Sequence, residues 1–403
     1  MPSSHSREHV LHLLVEAAEL EHNILCSYLF ALFSLKQGRD EDLEEEEFAA
    51  VGRWRKELSG VAIEEMLHLA QVNNILSAVG ARPHFNRPNL PVAAGYHPAG
   101  IVLELAPFTP QTLDHFIYLE RPEEADVRDS AKLASIAAAR AQRRGRFHGA
   151  LMPGSPEYET IGAFYRELLA ALKGATAELG EQQLFCGPVA VQMRGDEVGG
   201  GELVAVTDLA SAEGAILQII EQGEGAHSPS EEAHFDKFEA IRTEYEAMLA
   251  KRPAFRPCRP VATNPVMHTA VTAGRVHVSA DQAARMLDAA NASYGAMLRC
   301  LGLAYEVPAG EAVRRSAVLK AAIACMHLLM ELGCALTRLP ATEGGALNAG
   351  VSFAMQRATE GFASGQGHAL VSEQLLRLHE AAAAMAPHAA QGLAEAARKL
   401  GAR

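Results

Sequence analysis

The chain has 403 residues, enough for two or three structural units and a sizeable buried core. Its net charge of −13, with no basic stripe to neutralise phosphates, argues against a nucleic-acid role. Six cysteines (Cys26, Cys186, Cys258, Cys300, Cys325, Cys334) form no CxxC pair or regular framework, so reduced thiols in a cytoplasmic protein are expected rather than a secreted scaffold.

Alanine and leucine dominate long stretches and aromatic residues are few, which favours a mainly helical protein. The N-terminal Met-Pro-Ser-Ser-His-Ser-Arg-Glu has no apolar h-region, and no run of about 18 apolar residues is evident, so a soluble chain without a membrane role is expected. The first predicted helix covers about 7–36. Leu14, Ala18, Glu21, Leu25, Tyr28 and Leu32 recur at steps of three and four along one face, and Glu21 interrupts that apolar stripe. Lys36-Gln37-Gly38 ends it, and the acidic run Asp40 to Glu47 reads as a solvated loop and first helical turn. The second helix covers about 45–79 and stops at Gly80, with Pro83 beyond. Its stripe is Val61, Glu65, His68, Val72, Ile75 and Val79, so Glu65 and His68 occupy core positions.

Residues 81–155 carry eight prolines and read as an insertion between bundle helices. Ile101–Leu105 and Phe116–Leu119 are predicted as short strands, and Ala131–Gln142 as helical or flexible. A helix follows over about 158–179, then a loop or hairpin over 184–207 with Gly199-Gly200-Gly201. Asp208 or Ser211 can cap the next helix, which contains Ile216, Leu217, Ile219 and Ile220 and ends in Glu221-Gln222-Gly223-Glu224-Gly225. Ser230 is a candidate cap for a further helix whose stripe is Glu231, His234, Phe238, Ile241, Tyr245 and Met248. These elements give a first unit over 1–255, a proline-rich connector over 256–278 and a second helical bundle over 279–403. The last is predicted as helices at 279–303, 311–338, 347–363 and 370–400. His327 there reads as a core or surface histidine, and Met326 and Met330 as core filler.

A buried carboxylate must be neutralised, paired or bound to a metal. In bundle proteins, one Glu from each of two helices and a Glu-x-x-His from each of two others hold a pair of metal ions. The i, i+3 spacing puts both side chains on one helix face, and histidine contributes a neutral nitrogen ligand. The candidate set in chain order is Glu21; Glu65 with His68; Glu221; Glu231 with His234. Four Glu-x-x-His pairs occur, but only Glu65/His68 and Glu231/His234 lie with both residues on core stripes of long helices. Helical periodicity cannot choose between Glu221 and Glu224, and Glu167 is a third option; Glu221 is preferred because it still has a helical turn before the glycines. His22 reads as a hydrogen-bonded neighbour and Tyr28 as core or pocket lining.

The runs Glu19-Leu20-Glu21-His22, Glu64-Glu65-Met66-Leu67-His68-Leu69 with Asn73-Asn74 and Gly80-Ala81-Arg82-Pro83, and Thr160-Ile161-Gly162-Ala163-Phe164-Tyr165 stand out. Together they resemble the ferritin-like domain of the iminophenyl-pyruvate dimer synthase group. Glu221 to Gly225, Glu231 to Phe238 and the connector Arg259 to Pro265 extend the likeness. That group includes the large proteins that couple oxidised tryptophan units in violacein and rebeccamycin biosynthesis. The resemblance implies a mainly α fold: a ferritin-like four-helix bundle with a small mixed insertion, followed by the second bundle. The ligand set and the resemblance together lead us to expect a non-haem di-iron oxidase or oxygenase, with two Fe ions (or a Mn/Fe pair), O2 as co-substrate and a small, amino-acid-derived substrate. An electron donor of unspecified kind is expected, and the alanine-rich C-terminal helices could form a homodimer interface. The competing expectations are an iron-storage protein, against which the insertion and second bundle stand, and a non-catalytic accessory subunit of a natural-product pathway.

Overall fold

The computed structural model describes residues 6–92, 96–97, 101–125, 158–198, 202–225, 233–268, 274–357 and 367–401. Ser6 opens the first helix, α1 (Arg7–Ser34), by accepting the His9 N–H at 3.2 Å. α2 (Glu45–Ala78) begins with Glu47 reaching back to accept the Glu44 N–H at 2.9 Å, and ends before Gly80, whose φ of 85° suits glycine. α1 and α2 pack along each other, and most of α1 is buried. α4 (Ile161–Leu179) lies on α1 and on α5 (Leu209–Glu224), while α6 (His234–Lys251) meets α2 and α5. This is the ferritin-like helical bundle expected from the sequence.

One expected strand is instead helical. Thr109 accepts the Thr112 N–H at 3.2 Å and Pro110 takes a first-turn position, so Phe116–Leu119 belong to α3 (Pro110–Glu120), which packs on α6. Leu113, Phe116 and Ile117 bury one face of that helix. Among the described residues, the Ile101–Leu105 segment forms an isolated bridge between Leu103 and Val92, and Leu105 O accepts the Asn264 N–H at 2.9 Å, rather than a strand of a sheet. Ala131–Gln142 lie outside the described residues.

The connector runs back over the end of α1. Arg259 is buried and donates from Nη1 to Leu35 O and Thr337 Oγ1 at 3.0 Å each, and from Nη2 to Glu41 at 2.8 Å. A two-residue parallel pair follows, β1 (Pro265–Val266) with β2 (Val276–His277). Among the described residues, four helices make the second unit: α7 (Asp281–Ala304), α8 (Ala312–Leu336), α9 (Gly367–Ala382) and α10 (Pro387–Gly401). The helix expected over 347–363 is not formed across 347–357, where the chain is extended and Phe353 takes a φ of 44°. The single helix expected over 370–400 is two helices broken before Pro387, which cannot continue the first. The segment Ala309–Leu336 is apolar and long enough to cross a membrane, with a mean hydropathy of 1.6, but α8 packs between α7 and α10. Both units contribute to one continuous apolar core.

Candidate metal centre

Glu21 on α1 and Glu65 and His68 on α2 face one another inside the bundle. His68 Nδ1 stands 3.5 Å from a carboxylate oxygen of each glutamate. Across the same Glu65, His234 Nδ1 at the start of α6 lies 2.9 Å from Oε1. Glu120, the last residue of α3, completes this second group with Oε2 at 3.8 Å from His234 Nδ1. Glu65 is therefore shared by two triads, Glu21–Glu65–His68 and Glu65–Glu120–His234, each with ligand atoms within 4.8 Å of one another. All five side chains are buried, and the two imidazole rings are 5.6 Å apart.

Each histidine presents Nδ1 inward and uses Nε2 outward. His68 Nε2 is 2.8 Å from Gln222 Oε1 on α5. His234 Nε2 is 2.8 Å from Glu64 Oε2, and Lys237 Nζ donates to the same oxygen at 2.9 Å. Such outer contacts fix ring orientation and tautomer. Tyr165 donates its hydroxyl proton to Glu21, and Tyr28 donates to Glu120. The small remaining space, about 20 Å³, is lined among others by Glu21, Glu65, Glu120, His68, Tyr165 and Glu224.

Electrostatics test whether cations fit this donor set. Burial, followed by the charge of Glu65, pushes the Glu21 carboxyl up to about 8. Burial alone would lower His68, but the neighbouring Glu65 and Glu21 outweigh it and hold the imidazole up to about 10. The same balance raises His234. Burial acts to raise Glu65, and the two imidazolium charges bring it below the usual carboxylate range. Protons thus carry the positive charge that these buried carboxylates require. Two divalent cations would supply it instead and leave the imidazoles neutral, as ligation demands. His234 Nδ1 is buried without a well-aligned hydrogen bond, which suits an inward-facing ligand atom. The residues fit a carboxylate-bridged metal pair.

Of the expected ligands, the structure brings together Glu21, Glu65, His68 and His234. Glu231 lies outside the described residues. Glu221 is not in the cluster: it is exposed and shares its face of α5 with Leu217, itself 43% exposed. The buried stripe of α5 is Ala212, Ala215, Ile216, Ile219, Ile220 and Glu224, so Glu224 is the inward glutamate. Its carboxylate is already engaged, accepting from Thr160 Oγ1 at 3.0 Å, the Gly162 N–H at 2.9 Å and Arg166 Nη2 at 2.9 Å. A Cβ at Gly162 would stand 2.1 Å from that carboxyl group, so glycine is needed for this approach. Sequence reasoning missed Glu120, Tyr165, Gln222 and Glu64. Thr109-Pro110 followed by Leu113, Phe116 and Glu120 at helical spacing was the signal for the first. His327 is exposed and Met330 is 46% exposed rather than core filler.

A family model described as ferritin-like matches residues 14–243. The chain is 28% identical over 348 residues to a 2-imino-3-(indol-3-yl)propanoate dimerase of Chromobacterium violaceum, covering 81% of this chain and 32% of that protein. It is 25% identical over 389 residues to a dichlorochromopyrrolate synthase of Lentzea aerocolonigenes, covering 86% and 36% respectively. The chain therefore spans about a third of the length of these curated relatives. A solved structure of a ferritin-like protein from Caulobacter vibrioides is 18% identical, with a TM-score of 0.48, and the match covers 81% of this chain and 96% of that one.

Proposed function

This chain belongs to the ferritin-like family, and from that premise we propose that it is a non-haem di-iron oxidase or oxygenase using O2 on a small, amino-acid-derived substrate in a biosynthetic pathway. The observation that carries the proposal is Glu65 shared between two buried carboxylate–histidine groups. In this reading Glu21 and His68 would hold one ion and Glu120 and His234 the other, with Glu65 available to both. Bound as ferrous ions, the pair supplies electrons to O2 for oxidation of the substrate. The protein's own part is positional. Gln222 and Glu64 keep the two Nδ1 atoms inward, and the Tyr165 and Tyr28 hydroxyls fix one oxygen each of Glu21 and Glu120. The apolar packing of Tyr28 against Phe116 and Phe238 keeps water from that side. The substrate class is proposed by analogy with the two relatives, a 2-imino-3-(indol-3-yl)propanoate dimerase and a dichlorochromopyrrolate synthase.

The test is anaerobic loading of the full chain with Fe(II), followed by metal analysis and O2 uptake. About two ions per chain and stoichiometric O2 consumption are expected. Glu65→Ala should lose both ions, whereas Glu21→Ala should spare the ion on the His234 side. A folded chain that retains no iron, or whose ferrous form leaves O2 untouched, overturns the proposal.

A further inference from the structure

On the opposite side of the α1–α2 pair from the carboxylates lies a second, much larger cavity, of about 350 Å³. α1 contributes Leu25, Leu29 and Phe33, α2 contributes Met66 and Ala70, and α7 and α8 close it from the second unit. Its volume falls in the range of small-molecule sites, which are mostly apolar with a few placed polar groups. A void of this size between packed helices is otherwise costly, because the cost grows with the unfilled volume.

The lining states what would fit. Met66, Met193, Met297, Met326 and Met330 all face the cavity. Methionine is flexible and polarisable, and its sulfur makes favourable contacts with aromatic rings. Phe33, Phe85, Tyr305 and Phe353 add ring surfaces. Its one carboxylate, Glu197, is already paired with the buried Arg315 at 2.6 Å. The polar corner is Tyr294, whose hydroxyl lies 2.6 Å from His22 Nε2 and accepts from Arg87 Nη2 at 2.9 Å. A charged ligand would thus meet no free counter-ion and would be desolvated without compensation. The mouth is apolar too: Ile63 is 51% exposed and Ile323 40%.

We infer that this cavity is a binding site, separate from the metal centre, for a neutral, largely apolar aromatic molecule. The site is independent of the redox assignment above, since none of the metal-binding side chains lines it.

The probe is N-phenylnaphthylamine, a neutral aromatic fluorophore, titrated into the full chain. Saturable one-to-one binding is expected, with the sulfonated analogue anilinonaphthalene sulfonate weaker by about tenfold or more. Ala70→Phe, which adds volume at the cavity wall, should weaken binding to a similar degree while circular dichroism shows the fold retained. A measurement on the unmodified chain guards against a variant that fails to fold. With 13C-methyl methionine, the probe should shift the signals of Met66, Met193, Met297, Met326 and Met330 and leave Met248 and Met286 in place. No saturable binding, equal binding of the anionic analogue, or shifts at Met248 and Met286 would overturn the assignment. So would a dimer that Ile63→Glu dissociates, because the face would then belong to a second copy of this chain.

Discussion

His68 and His234 can each offer only one nitrogen inward, because the other is committed to an acceptor on the outside of the cluster. Glu64 is the more consequential acceptor, being charged and itself held by Lys237. Burial alone would raise its carboxyl, but the hydrogen bonds from His234 and Lys237 outweigh that and bring it down to about 2. Removing such a partner typically lowers metal affinity by about 10–100-fold. Glu64→Ala should therefore weaken the ion on the His234 side by that order and leave the His68 side nearly unchanged, read by competition with a chelating dye. Equal weakening of both ions would show that Glu64 acts through general stability instead. At this scale the sequence was readable where a polar residue broke an apolar stripe, as Glu21, Glu65 and His68 do. At α5 the helical turn before the glycines favoured Glu221, which is exposed, whereas the buried stripe Ala212, Ile216, Ile219 and Ile220 leads to Glu224. Glu64 and Gln222 carried no signal, since an ordinary polar residue beside a stripe is usually just solvated.

Helices were legible where their length let periodicity accumulate. α1, α2, α4, α5, α7 and α8 all lie near the expected positions. α3 was not, because an aromatic and branched run such as Phe116-Ile117-Tyr118-Leu119 has the composition of a strand, and only the cap Thr109-Pro110 speaks against it. The cost of that misreading was Glu120, a residue from the inserted region that joins the carboxylate–histidine cluster of the candidate site. Elements are also tied at their ends. Glu47, in the first turn of α2, accepts from Arg252 Nε at 2.6 Å and Nη2 at 2.7 Å at the end of α6. Burial would raise this carboxyl, but the Arg252 hydrogen bonds, the Glu44 N–H and the Arg252 charge outweigh it and hold it below its ordinary value. The unfolded chain then binds the proton more tightly than the folded one, so this contribution is complete above the unfolded value of about 4.3 and is lost as pH falls through the folded value. In urea titrations, wild type should lose stability across that acid window more steeply than Glu47→Gln, which should be the less stable of the two at neutral pH. Parallel acid losses in both chains would remove Glu47 from the account.

Across the whole molecule, the two helical units share one core rather than meeting at a wet interface. Arg315 of α8 is one polar tie between them. It is fully buried and donates to Glu197, to Gln192 O at 2.7 Å, and to Ala304 O and Val307 O at 2.7 Å each. One guanidinium thereby holds the loop after α4, which belongs to the first unit, to the turn between α7 and α8 of the second. Arg259 makes the corresponding tie at the other end, between α1 and Thr337. The division at 256–278 proposed from its prolines marks a change in chain direction, but the apolar packing passes across it. Sequence could not show this, because the residues involved are distant in the chain and carry no local pattern. The consequence is a single cooperative unfolding transition. Trp54, the one tryptophan, is buried in the first unit, so its fluorescence reports on that unit while far-ultraviolet dichroism averages over both. The two signals should coincide in wild type. Arg315→Ala leaves Glu197 without its buried partner, at a cost of about 3–5 kcal/mol, and removes the tie between units. The curves should then separate, with part of the dichroism lost before the tryptophan signal changes. Coincident curves in the variant, merely shifted to lower denaturant, would mean that the shared apolar core alone couples the two units.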